Sequence, residues 1–286
     1  MKPAQIVLSL FGSLSLLSTG IAEAQLSPTV PLQFVPPAAP ERGRPPGRRQ
    51  GGASRGGCHI ASQPPLTAMV PFNLEPTLEA TNREMANSSA AVTDKEVSRA
   101  AQSSGSQSAV FSLTTQAHPS FWFYVPYSLE TTPLEFVLQD ENNNTLYQER
   151  VSVEAFESQL QDSDSEGGIV QVALPDSAPA LESGRTYRWF FMAYCDADNP
   201  SYVEGSVMRS PLSDTSADAL TTATTREQAS FYAQNGIWQE ALTVWAEHYK
   251  ENQANAAISN DWESLLESAN LGHLTGQPLM CCCSVE

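Results

Sequence analysis

The sequence is short of basic charge and of histidine: 15 Lys and Arg stand against 32 Asp and Glu, a formal net charge of −17, with four His in 286 residues. An acidic surface repels phosphate backbones and anionic lipid, which excludes nucleic acid as a partner of the body. His59, His118, His248 and His273 stand in no metal-binding spacing such as H-E-x-x-H. The G-x-S-x-G string at Gly52-Ala53-Ser54-Arg55-Gly56 lies in a Pro/Gly/Arg tract and not between a strand and a helix, so no nucleophile elbow is expected, and there is no glycine-rich phosphate loop. No catalytic residue and no cofactor is expected. Beyond the N-terminus, no apolar run approaches the ~20 residues of a spanning helix, so the processed chain is not expected to cross a membrane.

What is present, first, is a leader. Lys2 gives a short basic start, residues 6–17 are apolar apart from Ser9, Gly12, Ser13 and Ser15, and Ala22-Glu23-Ala24 supplies the small-x-small cleavage pattern. Residues 1–24 read as a signal peptide, with Gln25 first in a periplasmic or extracellular protein. An oxidising compartment changes how the five cysteines read. Cys58 and Cys195 lie inside the body and are expected to form a disulfide, which would contribute about 4–5 kcal/mol by closing so long a loop. Cys281, Cys282 and Cys283 are adjacent, a spacing poor for mutual bridging and for metal. A thiol tail is the plainer reading there, and a metal site with His273 the alternative.

Charge is unevenly spread. Residues 41–55 carry Arg42, Arg44, Arg48, Arg49 and Arg55 against Glu41 alone, within a Pro/Gly-rich tract. Residues 25–57 are therefore expected to be a disordered arm, either a solvated linker or a segment touching an anionic polymer. From Cys58 onward the chain is strongly acidic. A polar stretch near 75–108 reads as an insertion or a long surface loop.

The centre has the period of β-structure. Phe121-Trp122-Phe123-Tyr124-Val125 is bulky on both faces and ends at Pro126, as a central strand does. Leu134, Phe136 and Leu138 alternate with Glu135, Val137 and Gln139, and the turn-forming Asp140-Glu141-Asn142-Asn143-Asn144 leads into a return strand. Strands are expected at 169–174, at 187–195 and at 202–208, the last two paired. The fold class that follows is mainly β with α: an antiparallel β-sandwich, immunoglobulin-like in outline, over 58–212. After Pro211 the period becomes helical. Thr225 with Gln228 predicts a capping box, Gly236 a helix end, and helices are expected at 237–250 and from about 260 to 271. Tyr232-Ala233, Gly236, Trp238 and Glu240-Ala241-Leu242 fall in the order of one tetratricopeptide-type hairpin, too little for a solenoid. Residues 213–272 read as a helical cap, and 273–286 as a Cys-rich tail.

Several runs together carry a family resemblance: Arg55-Gly56-Gly57-Cys58, Leu66-Thr67-Ala68, Pro119 through Tyr127, Phe136 through Glu141, Tyr187-Arg188-Trp189-Phe190, Cys195-Asp196, Val203-Glu204-Gly205, and 232–242. Over about residues 50–275 the chain resembles the cyanobacterial domain of unknown function 928 family, departing from it in a longer stretch near 75–110. The resemblance implies an exported context and a domain extent. It implies no activity and no catalytic residue.

Candidate chemistry is sparse. Asp196, Asp198 and Glu204 flank the strongest strand pair, and two acids across an aromatic cleft would be needed by a carbohydrate-active hydrolase. Acids in the loops of an acidic protein are ordinarily solvated, and His118 at a strand entrance reads as structural. Asp162-Ser163-Asp164-Ser165-Glu166-Gly167 alternates oxygen ligands, but Ala173 stands where an EF-hand needs glutamate. A looser calcium site and an acidic loop both remain open. Trp238, Trp245 and Trp262 are expected to be core, and would mark a partner face if exposed. The leading expectation is an exported, non-catalytic binding or structural module of the cell envelope whose partner is an envelope protein or glycan. The alternative is the hydrolase.

Overall fold

Bulky side chains on both faces of one strand require cover on both sides, and the strand at Ser120–Val125 has it. The computed structural model describes residues 30–37, 47–51, 62–73, 109–151, 167–196 and 199–280, and those from Pro31 onward belong to one compact unit. Phe121, Phe123 and Val125 point into one core, and Trp122 and Tyr124 into another.

The first core lies between two sheets. The smaller has the order β1 (Thr67–Ala68), β4 (Ser120–Val125), β7 (Gly168–Ala173). The larger has the order β2 (Phe72–Asn73), β3 (Ala109–Thr114), β9 (Ser201–Arg209), β8 (Thr186–Ala193), β5 (Leu134–Gln139), β6 (Thr145–Val151). In β8, Tyr187, Trp189, Phe191 and Ala193 are buried while Thr186, Arg188, Phe190 and Met192 are half-buried, the period-2 pattern of a strand with one core face. Phe123 stacks on Phe191 across the sheets, centroids 4.0 Å apart and 4° from parallel. Gly205 lets β9 pass over Trp189, since a Cβ there would lie 2.3 Å from the indole. The β5–β6 turn is held by Asp140 Oδ1, which accepts the Asn142 and Asn144 N–H groups at 2.8 and 2.9 Å.

A wholly antiparallel sandwich is corrected in one place. β3 runs parallel to β9, with Phe111 opposite Ser206 and Thr114 opposite Arg209. Parallel neighbours need a long crossover, and here the strands from β4 to β8 supply it. Alternation shows which face of β3 is buried but not the direction of its neighbour.

Four helices follow: α1 (Asp214–Thr221), α2 (Thr225–Gln234), α3 (Trp238–Glu251) and α4 (Ala256–Ser268), then a 3-10 turn at Gly272–Leu274. The capping box sits one residue earlier than expected. Glu227 accepts the Thr224 N–H at 2.8 Å while Thr224 accepts the Glu227 N–H, and a carboxylate is the stronger acceptor than the Gln228 amide. The last long helix also begins earlier, where Asn255 caps it by accepting the Ala257 N–H. α1 was not foreseen, because Leu220 is its one buried residue and it has no apolar stripe. The helices bury Trp238, Leu242, Trp245, Trp262 and Leu265 against Met69, Trp122, Tyr124 and Ile169 of the smaller sheet and its flank. Trp122 Nε1 donates to Thr243 Oγ1 at 2.9 Å, and Trp238 Nε1 to the Met69 carbonyl at 2.6 Å. The order of layers is large sheet, small sheet, helices.

The disordered arm is corrected for its described parts. Leu32 and Phe34 are 1% and 6% exposed in the helical core. Arg48 and Glu204 exchange both backbone hydrogen bonds at 2.9 Å, and the Ala68 N–H donates to the Arg49 carbonyl at 2.8 Å. β3 pairs with β9 only from Ser206 on, which leaves the start of that edge unpaired. Residues 48–50 fill it and join the two sheets. A Pro/Gly/Arg tract cannot build a core, but it can complete an existing ladder. The polar stretch 75–108, the loop at Asp162 and the cysteines 281–283 lie outside the described residues.

Candidate functional site on the outer face of the large sheet

The helices occupy the small sheet and the edge at β3, so the middle of the large sheet presents its second face. Cross-strand pairing sets the rows: Arg150, Glu135, Met192 and Tyr202 in one, Gln148, Val137, Phe190 and Glu204 in the next. Arg188 is ion-paired to Glu204 at 2.5 Å, and its guanidinium lies 4.8 Å over the Phe190 ring. Arg48, brought in by the edge pairing, lies 4.5 Å over Tyr202. Glu135 accepts hydrogen bonds from Tyr194 Oη at 2.5 Å and Gln148 Nε2 at 2.6 Å. The bond to Glu135, with burial second, raises the Tyr194 pKa above its ordinary value. The result is a surface of apolar rings and a thioether beside two arginines, of which Arg188 is ion-paired to Glu204 and Arg48 lies over the Tyr202 ring.

Two of the acids expected to cluster are described, and they differ in setting. Glu204 lies opposite Phe190 within β9 and is engaged by Arg188, whereas Asp196 lies in the bend after β8. Asp198 lies outside the described residues. Cys195 is disulfide-bonded, and the other four cysteines, Cys58 included, lie outside the described residues. Trp238, Trp245 and Trp262 are 0%, 1% and 1% exposed, so they are core, as expected, and the exposure that would have marked a partner face is not met: they pack in the core of the helical layer. His118 ties its loop together, through the Ala178 carbonyl at 3.0 Å and Asp176 at 3.4 Å. Among the described residues, no group of three or more His, Cys, Asp or Glu is placed to hold a metal ion, and no helix is long and apolar enough to cross a membrane.

Sequence reading missed the sheet face. A signal existed in 187–195, where Phe190 and Met192 fall out of phase with the core positions Trp189 and Phe191. Apolar residues on both faces of a strand mean either two cores or one core and one contact surface.

Two packed sheets with helices on the smaller and a mixed apolar and charged face on the larger define a sandwich-like module with a helical layer. The chain belongs to the Domain of Unknown Function family DUF928, whose profile matches residues 50–279. Neither the curated proteins nor the solved structures contain a match to it.

Proposed function

We propose that this protein is an exported, non-catalytic binding module of the cell envelope, with residues 1–24 as leader, and that a partner protein docks on the outer face of the large sheet. The observation that carries this is the make-up of that face. Phe190, Met192 and Tyr202 with Arg48 and Arg188 are the residue types enriched at the centres of protein interfaces, here set side by side by strand register. Both ring faces are covered by guanidinium groups, which favours protein over a stacked sugar. Among the described residues nothing favours the hydrolase alternative, because the one candidate acid on a strand is engaged by an arginine.

An immunoglobulin-like outline is part of the proposal, and it is supported in three ways. β4 and β7 correspond to B and E, and β9-β8-β5-β6 to G-F-C-C′. Tyr187, near the start of β8, accepts the Glu182 N–H at 2.9 Å, the contact of a tyrosine corner. The Phe123–Phe191 stack takes the place of a B-to-F disulfide. The Cys195 disulfide is then a different bridge, and its proposed partner is Cys58.

Crosslinked capture from the producing cell's envelope tests the function, using the chain from Gln25 and its Met192→Glu variant. Wild type is expected to retain one envelope protein at least ~10-fold better than the variant, since a charge at an interface centre costs 1–2 kcal/mol or more. Equal capture by a variant with an unchanged Tm would overturn the sheet-face reading. Peptide mapping of the exported protein should show Gln25 at its N-terminus and Cys58 joined to Cys195.

A further inference from the structure

Residues 31–37 run extended along the helical layer, with Leu32 and Phe34 buried and Gln33 and Val35 exposed. Their backbone is read by groups of the layer. The Leu32 N–H donates to Asp261 Oδ1 at 3.3 Å, the Phe34 N–H to Ser268 Oγ at 2.9 Å and the Val35 N–H to the Ala233 carbonyl at 3.0 Å. The Asp261 carboxylate is held by the Arg226 fork at 2.6 and 3.1 Å. Phe34 meets Trp238 edge to face at 5.0 Å. Pro37 lies against Gly236, where a Cβ would come within 2.8 Å of it.

This is a built peptide site: fixed acceptors for three N–H groups, an aromatic wall, and a glycine that admits a proline. Pro31, Pro36 and Pro37 hold the segment extended, which lowers the ordering cost of docking. Two anchors on a short segment give weak binding by themselves. A tether raises the local concentration of that segment to the order of millimolar, enough to keep it seated.

We propose that the helical layer is a receptor for extended, proline-flanked peptides with apolar residues at alternate positions, and that residues 31–37 are its resident, exchangeable occupant. A partner presenting such a segment takes the site when the resident leaves. This does not rest on the sheet-face reading, which concerns the far side of the sandwich.

The test uses the chain from Gln25 with a specific protease site placed within residues 40–46 and cut after folding. The probe is a fluorescent peptide of residues 30–37. Uncut protein should bind the probe at least ~100-fold more weakly than cut protein, the competition expected of a tethered occupant. Cut protein should lose the resident piece on dilution and bind the probe saturably, and a probe with Leu32→Ala and Phe34→Ala should not bind. Retention of the piece until the whole protein melts would make the segment ordinary core and overturn the proposal. So would unfolding on cleavage, or a folded, emptied protein that ignores the probe.

Discussion

Glu240 sits in the first turn of α3 beneath the loop that follows β3. Its Oε1 accepts hydrogen bonds from Thr114 Oγ1 at 2.5 Å, from the Thr115 N–H at 3.0 Å and from the Gln116 N–H at 3.3 Å. Oε2 has no partner among the described residues. Burial pushes its pKa above the usual carboxylate range, against hydrogen bonds that pull the other way. The folded state therefore keeps a proton that the unfolded chain has released. Stability is fullest below the ordinary glutamate pKa and declines as pH rises toward the folded value. Glu240→Gln keeps the acceptor and removes the titration, so unfolding free energies measured in urea should lose that decline as pH rises above the ordinary glutamate pKa of about 4. An unchanged slope would place the titration elsewhere. Glu240→Ala strands three donors and should cost about 2–4 kcal/mol. Tyr187→Phe leaves the Glu182 N–H without its acceptor and should cost about 1–2 kcal/mol in the same measurement.

At the scale of elements, the α2–α3 corner turns on Gly236, whose φ is +73°. Gly236→Ala forces a left-handed alanine and crowds Pro37, so a loss of about 1–2 kcal/mol is expected in chemical denaturation. A neutral result would show that the corner relaxes. The strands from β4 to β9 were legible because each runs at least six residues, either alternating as β8 does or continuously apolar as β4 is, between turn-forming residues. β1 and β2 were not, since two residues carry no period. The edge pairing of residues 48–50 was hidden for another reason: it is made by backbone, and no side-chain pattern announces it. The three tail tryptophans were legible as core from helical spacing. The contact surface was not, because Arg188 and Glu204 read as separate charges until register places them on adjacent strands.

The whole molecule shares one strand between two cores. β4 gives Phe121 and Phe123 to the sandwich and Trp122 and Tyr124 to the helices, so neither layer is complete without the other. Calorimetry should show a single transition for the full chain. A fragment ending at Leu212 would expose Trp122, Tyr124, Ile169 and Met69 together, and size-exclusion chromatography should find it aggregated. A soluble, monomeric fragment with its own cooperative melt would separate the layers. The hydrogen bonds from Leu32 to Asp261, Phe34 to Ser268 and Arg49 to Ala269 span 229, 234 and 220 positions. Contacts so distant in sequence wait on loop closure and slow the search for the native state. Under the export we propose, with the chain threaded leader first through a narrow translocation channel, that slowness would be protective: Leu32, Phe34 and Arg49 have these partners only once nearly the last helix has been made, so the polypeptide would stay pliable enough to cross.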